Sequence, residues 1–146
     1  MEFYAKKFDE LSLSELYEIL KSRAEIFLLE QNIVCQDMDN VDYDALHCFM
    51  KEDTRVIAYL RAYQSGDAGT VKVGRVLTLS HGKGIGRELF DKSTAAINSV
   101  FDASKITVNA QVQAMGYYEK LGFKKVSEEF LEEGVPHIKM DKPLRS

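Results

Sequence analysis

Tryptophan is absent from this 146-residue chain, and proline (two), cysteine (two) and histidine (three) are scarce. With 45% hydrophobic and 29% charged residues, and so little proline, the chain is neither disordered nor fibrous. Cys35 and Cys48 make no C-x-x-C pair, so a disulfide or metal pair is unsupported and two reduced, buried thiols are expected. No apolar run approaches the roughly 20 residues of a membrane span. The opening MEFYAKKFDEL has no signal-peptide core. A cytoplasmic chain with one domain over residues 1–146 is therefore expected. The formal net charge of −4 leaves out the basic face that nucleic acid requires, so neither nucleic acid nor membrane is an expected partner. An acidic surface suits a cationic acceptor instead.

What the chain does hold is a run over residues 73–90, VGRVLTLSHGKGIGRELF, that passes from apolar residues through glycines at 82, 84 and 86 into a helical pattern. Strand, glycine loop, helix is the predicted order. Glycines lack the Cβ that holds a ligand off the backbone, and the first N–H groups of a helix have no partner within it. The stretch is a candidate phosphate cradle. It is not a P-loop, which needs Gly-Lys-Ser/Thr where Gly86, Arg87 and Glu88 stand. Its G-x-G-x-G spacing also departs from the G-x-G-x-x-G of dinucleotide sites.

Around this run, residues 2–8 read as a first strand. Ser12, with Glu15 three positions on, makes a capping box for a helix from residue 13 to about 31, whose buried stripe is expected to be Leu13, Leu16, Tyr17, Leu20, Ala24, Phe27 and Leu28. A loop rich in acids follows, with Asp42 and Asp44 expected in solvent and without the glycine and final glutamate of a calcium loop. Residues 46–51 and 55–64 read as antiparallel strands. Phe49, Tyr59 and Tyr63 serve there as core or pocket wall, and Arg61 and Arg75 as strand-surface arginines in salt bridges. A helix to about residue 102 and a strand at 105–110 come next. A helix at 112–121 closed by Gly122, a strand at 123–130 and a last strand through His137 complete the chain.

Gly84 and Gly86, with His81 where Arg or Gln is usual, resemble the Arg/Gln-x-x-Gly-x-Gly/Ala pyrophosphate loop of the GNAT N-acetyltransferase superfamily. Tyr118, Lys120, Gly122 and Phe123 resemble the Tyr-x-Lys/Arg-x-Gly-Phe helix end that lies beside coenzyme A in that superfamily, with Gln111 where most members have Asn. Arg23, Phe27, Glu30, Gln31, Asp37, Asp39 and His47, together with the ending from Glu133 through His137 to Met140, narrow the resemblance to the ElaA-like family.

The resemblance implies an α/β fold: a mixed, mostly antiparallel sheet of six or seven strands with flanking helices, opened like a V between the fourth and fifth strands. It implies acetyl-CoA as co-substrate, no metal, and direct attack by a primary amine in a ternary complex. The pyrophosphate would lie on Gly82, Lys83, Gly84, Ile85, Gly86 and Arg87, with Gln111, Tyr118 and Lys120 alongside. The pantetheine arm would pair with the opened strand edge, where an amide from among Val76, Leu77, Thr78 and Leu79 polarises the acetyl carbonyl. Tyr118 is the implied general acid. An alkylammonium must first lose a proton, for which Glu30 is the leading candidate, ahead of His137 and His47. A non-catalytic acyl-CoA-binding or regulatory protein on the same fold is the alternative, and a protein-interaction module the second rival. The acceptor stays open among a polyamine, an amino sugar and a peptide N-terminus, any of which Asp37, Asp39, Asp42, Glu132 and Glu133 could attract; a homodimer is also open.

Overall fold

A computed structural model of the chain describes residues 1–80 and 82–144. Alternating apolar residues on two neighbouring strands set its architecture. Leu46, Cys48 and Met50 stand opposite Ala62, Leu60 and Ala58, all on one buried face, because strand side chains alternate between faces. The strands are β1 (Glu2–Lys7), β2 (Leu46–Glu52), β3 (Arg55–Gln64), β4 (Thr70–Thr78), β5 (Lys105–Gln111), β6 (Lys124–Lys125), β7 (Phe130–Glu132) and β8 (Val135–Pro143). They form one sheet in the order β1-β2-β3-β4-β5-β8-β6, with β7 also paired to β8. Every pairing is antiparallel except β4 with β5. Eight strands replace the expected six or seven. The span expected as one strand over 123–130 is broken where the Lys139 N–H turns to the Ser127 hydroxyl, 2.9 Å away.

Three α-helices flank the sheet: α1 (Leu13–Arg23), α2 (Ile85–Val100) and α3 (Met115–Lys120). The first is capped as expected, with Ser12 Oγ accepting the Glu15 N–H at 3.0 Å and the Glu15 carboxylate accepting the Ser12 N–H at 2.9 Å. It runs on into a π-helix, Ala24–Glu30, in place of the expected α-helix to residue 31. Its buried face also differs from the expected stripe. Glu15, Ile19, Ser22, Arg23 and Ile26 are buried, whereas Leu13 is 88% and Tyr17 68% exposed. Partners explain the rotation: Lys6 holds Glu15, Ser22 Oγ donates to the Val56 carbonyl at 2.6 Å, and three carboxylate and carbonyl groups hold Arg23. Paired polar groups can be buried at little cost, and an apolar periodicity cannot register them.

α2 and α3 cover one face of the sheet with Leu89, Phe90, Ile97 and Tyr118. On the other face Ile19 and Ile26 pack on Phe49, Val56, Tyr59 and Leu77, and this second core ends at β4. Cys48 lies in the first core, where burial pushes its thiol up to about 12. Cys35 is exposed, contrary to the expectation of two buried thiols. No helix among the described residues is long and apolar enough to cross a membrane.

The feature that positions the site is the parting of β4 from β5. Their pairing runs only from Thr70 opposite Lys105 to Val73 opposite Val108, although β4 continues to Thr78 and β5 to Gln111. Between Tyr59–Leu77 and Arg61–Gly74 the register spends two steps on β3 and three on β4, so β4 carries one extra residue. Arg75 takes up that excess with φ of 52°. Such a bulge bends and twists a strand, and here it begins one residue past the last β4–β5 pair. The V-shaped opening between the fourth and fifth strands follows.

Candidate active site

The opening holds a cleft of about 500 Å³. Phe27 and Gln31 from the end of the π-helix wall it on one side, and Gly74, Arg75 and Val76 of the bulge on another. Asn109 and Gln111 of β5, Tyr118 of α3, His137 of β8 and the loop carrying Asp37 and Asp39 also line it. Gln111 Nε2 donates to Gln31 Oε1 at 3.1 Å, joining the strand end to the helix end across the mouth. Of the strand amides expected to meet a carbonyl, that of Leu79 is already used, donating to the Ile57 carbonyl at 2.8 Å. Alternation along the strand then turns the Thr78 and Val76 N–H groups to the opposite edge, toward the gap, and of these two residues Val76 lines the cleft.

The glycine loop lies outside the cleft lining, beyond the end of β4 and at the N-terminus of α2. Gly82 and Gly84 have φ of 76° and 70°, a region that suits glycine, and nothing lies within 4 Å of where a Cβ would stand on either. That open space over free helix N–H groups fits a phosphate. At Gly86 the space that a Cβ would fill is taken by the Tyr117 hydroxyl, so the missing side chain admits α3. Lys83 is exposed. Arg87 donates to the Lys120 carbonyl at 2.9 Å, tying α2 to the end of α3, while Ile85 is buried in the core. His81 lies outside the described residues.

Tyr118 is fixed by the way α3 ends. Gly122, with φ of 99°, sends its N–H to the Glu119 carbonyl at 3.0 Å, and Phe123 sends its own to the Tyr118 carbonyl at 3.1 Å. These are the two hydrogen bonds of a Schellman cap, with the accompanying apolar contact made edge-on between Tyr118 and Phe123 at 5.6 Å. Phe90 closes on the same ring at 5.8 Å. The Tyr118 hydroxyl has no hydrogen-bond partner among the described residues. Burial, and then the neighbouring Tyr117, raise its pKa above the usual phenol value, so the phenol stays protonated at neutral pH.

The acidic loop is bound to arginines instead of lying free. Asp37 receives Arg75 Nε at 2.8 Å and Arg23 Nε at 3.0 Å on its two oxygens. Asp39 takes Arg61 on both oxygens, at 2.8 and 2.7 Å. Asp42, expected in solvent, is buried and receives Arg23 at 2.8 Å and Arg61 at 3.1 Å. Arg61 is itself buried, not a surface residue. Its hydrogen bonds hold the Asp39 carboxyl down at about 2, against 3.8 ordinarily. Burial opposes ionisation of Asp42, but the two guanidiniums outweigh it and lower that carboxyl as well. Arg23 of the ElaA-like pattern, together with Arg61 and Arg75, thus clamps the loop that forms one wall of the cleft.

Of the three candidate bases, His47 is fully engaged. Its Nε2–H donates to the Asp42 carbonyl at 2.9 Å and its Nδ1 accepts the Tyr59 hydroxyl at 2.7 Å, in a buried position where desolvation lowers its pKa. Glu30 is exposed and absent from the cleft lining. His137 lines the cleft with Tyr118. Its Nδ1–H donates to the Val135 carbonyl at 2.7 Å, and its Nε2 stands 3.5 Å from a Glu132 oxygen. Asn109 donates to the other Glu132 oxygen at 2.9 Å. Asn109 belongs to no motif, although its alternation with buried Val108 and Ala110 places it on the cleft face with Gln111.

Comparison with known proteins agrees with this geometry. The family model of the acetyltransferase (GNAT) domain matches residues 19–144. A UPF0039 protein of Schizosaccharomyces pombe is 32% identical over 144 residues, covering 96% of this chain and 95% of its own. Protein ElaA of Escherichia coli is 32% identical over 136 residues, 90% of this chain and 89% of its own. Its crystal structure superposes with a TM-score of 0.89 over 97% of this chain and 99% of that one, at 29% identity. The crystal structure of an acyl-CoA N-acyltransferase from Pseudomonas aeruginosa gives the same TM-score and coverage at 32% identity. The chain belongs to the GNAT acetyltransferase family, within its ElaA-like group.

Proposed function

We propose that this protein transfers an acetyl group from acetyl-CoA to a primary amine by direct attack in a ternary complex. The observation that carries the reading is one cleft, at the parting of β4 and β5, whose lining brings the Tyr118 phenol and the His137 imidazole to an unpaired strand edge. Gly82, Gly84 and the N-terminus of α2 would hold the pyrophosphate. The pantetheine arm would lie along the edge left open beyond Val73, with the Val76 amide, on the side of the cleft that Tyr118 and His137 line, directed at the acetyl oxygen.

In this reading His137 Nε2 takes the first proton of the ammonium, which at an ordinary pKa near ~10.4 is nearly always charged at neutral pH. The neutral amine attacks the thioester carbonyl; the C–N bond forms and the C–S bond breaks. Tyr118 donates a hydrogen bond to the departing sulfur. A thiol has a pKa near ~8.5, well below that of this phenol, so full proton transfer from Tyr118 is uphill and its contribution is modest. The second amine proton, shed as the amide forms, ends on the thiolate.

Thiol release from acetyl-CoA, followed against a panel of polyamines, amino acids, aminoglycosides and peptides, tests the proposal. Release that depends on one class of amine supports it. Binding of acetyl-CoA without release under any amine points instead to an acyl-CoA-binding protein.

A further inference from the structure

We propose that Glu132 and His137 together form the seat of the acceptor's ammonium group, with Glu132 holding the cation and His137 Nε2 receiving its proton. The proposal rests on the acetyl-transfer reading and names the acceptor end of the same cleft. Five acids could have drawn a cation to this region, but Asp37, Asp39 and Asp42 already face Arg23, Arg61 and Arg75. Glu132 and Glu133 alone remain, and both line the cleft.

Geometry then favours Glu132. Asn109 Nδ2 donates to one of its oxygens at 2.9 Å and His137 Nε2 stands 3.5 Å from the other, yet its side chain is 45% exposed. An exposed pair at that distance adds little to stability, so the arrangement is not explained as a fold-holding contact. His137 is only 6% exposed and stacks on Phe130 at 6.1 Å. Its Nδ1–H is committed to Val135, and Nε2 has no hydrogen bond among the described residues. The two residues are held rigidly. β7 and β8 are joined by Glu133 and Gly134, with φ of 51° and 73°, the values of a tight type I′ hairpin, and Glu132 pairs with Val135 across it. His137 in turn stands opposite Gln111, the last residue of β5, at the open edge.

The charges around His137 are consistent with a cation seat. Glu132 and Glu133 come from the hairpin, Lys139 lies two residues along the same strand, and β5 brings only Asn109 and Gln111. Arg61 and Arg75 face the cleft from β3 and β4 but are matched by Asp37 and Asp39, and Lys72 of β4 also lines it, opposite Thr107 of β5. An ammonium docked on Glu132 would pass one proton to Nε2, and the imidazolium so formed would keep the same carboxylate as its counter-ion. Asn109 is a positioning residue for that carboxylate.

The test uses n-butylammonium chloride as probe, at constant pH, with the His137 imidazole resonance followed by NMR in the full chain. The amine is expected to move that resonance in the wild type and to lose most of the effect in Glu132→Gln, with part regained in Glu132→Asp. In turnover, Glu132→Gln is expected to raise the amine KM about tenfold more than it lowers kcat. His137→Gln lowers kcat by about 100-fold, the scale of a lost general base. A wild-type resonance indifferent to the amine overturns the seat, whether or not acetyl transfer occurs. Amine binding at His137 without any acetyl transfer leaves the seat standing and overturns the acetyl-transfer reading.

Discussion

The Tyr117 hydroxyl occupies the space that a Cβ on Gly86 would need, and the ring carbon bearing it stands 3.0 Å from that point. The third glycine of the loop is therefore a docking point for α3 on α2. Gly86→Ala is expected to displace Tyr117 and cost about 1–3 kcal/mol by overpacking. In a Tyr117→Ala background the same substitution should cost little. A double-mutant cycle by urea unfolding measures the coupling; additive effects would show that the two residues do not constrain each other.

Gly84 behaves differently, because a Cβ there meets nothing in the protein but requires a left-handed backbone. Gly84→Ala is expected to cost about 1 kcal/mol of strain and to place a methyl group in the space assigned to the pyrophosphate. Acetyl-CoA affinity measured by calorimetry should fall about tenfold or more, with the amine KM unchanged. Unchanged acetyl-CoA affinity would move the phosphate site elsewhere.

Tyr118→Phe keeps the ring that Phe90 and Phe123 enclose and removes only the hydroxyl. Turnover is expected to fall about tenfold, in line with a hydrogen bond to the leaving sulfur and not a full proton transfer. Acetyl-CoA affinity should hardly change. Equal turnover in the variant would remove Tyr118 from the chemistry.

The arginine clamp makes stability depend on pH. Asp39 is held at about 2 against an ordinary 3.8, and Asp42 is lowered too. A carboxyl whose folded pKa is depressed contributes fully above its unfolded value and loses that contribution as pH falls through the folded one. Stability is expected to drop between about pH 4 and pH 2, and Asp39→Asn to narrow its gap from the wild type over the same interval. Asp42→Ala, which leaves two buried guanidiniums short of a partner, should cost about 3 kcal/mol at neutral pH. Denaturant midpoints across this range check both; a gap that stays constant down to pH 2 contradicts the clamp.

Local chemistry was the part of this molecule most legible in its sequence. The Ser12–Glu15 box, the Gly122 helix stop and the strand–loop–helix over residues 73–90 follow from the conformations that those residue types allow. Burial of polar residues was not legible, because it depends on partners far along the chain: Arg23 is buried through Asp37 and Asp42, 14 and 19 positions away. The same limit separated three similar glycines. Two are required by backbone conformation and the third by Tyr117, which lies 31 positions beyond it in the chain. The bulge at Arg75, which opens the cleft, has no sequence signal at all, since a non-glycine residue holds the left-handed conformation. Asn109 shows the reverse case: its place on the cleft face follows from alternation, but its tie to Glu132 needed the fold.

The most direct test of acetyl transfer is to give the protein acetyl-CoA labelled in its acetyl group, together with the amine that supports thiol release, and to count products by mass spectrometry. One labelled amide per thiol released is the predicted result. Thiol released as free labelled acetate with no amide, or acetyl-CoA bound with neither product, would contradict the account.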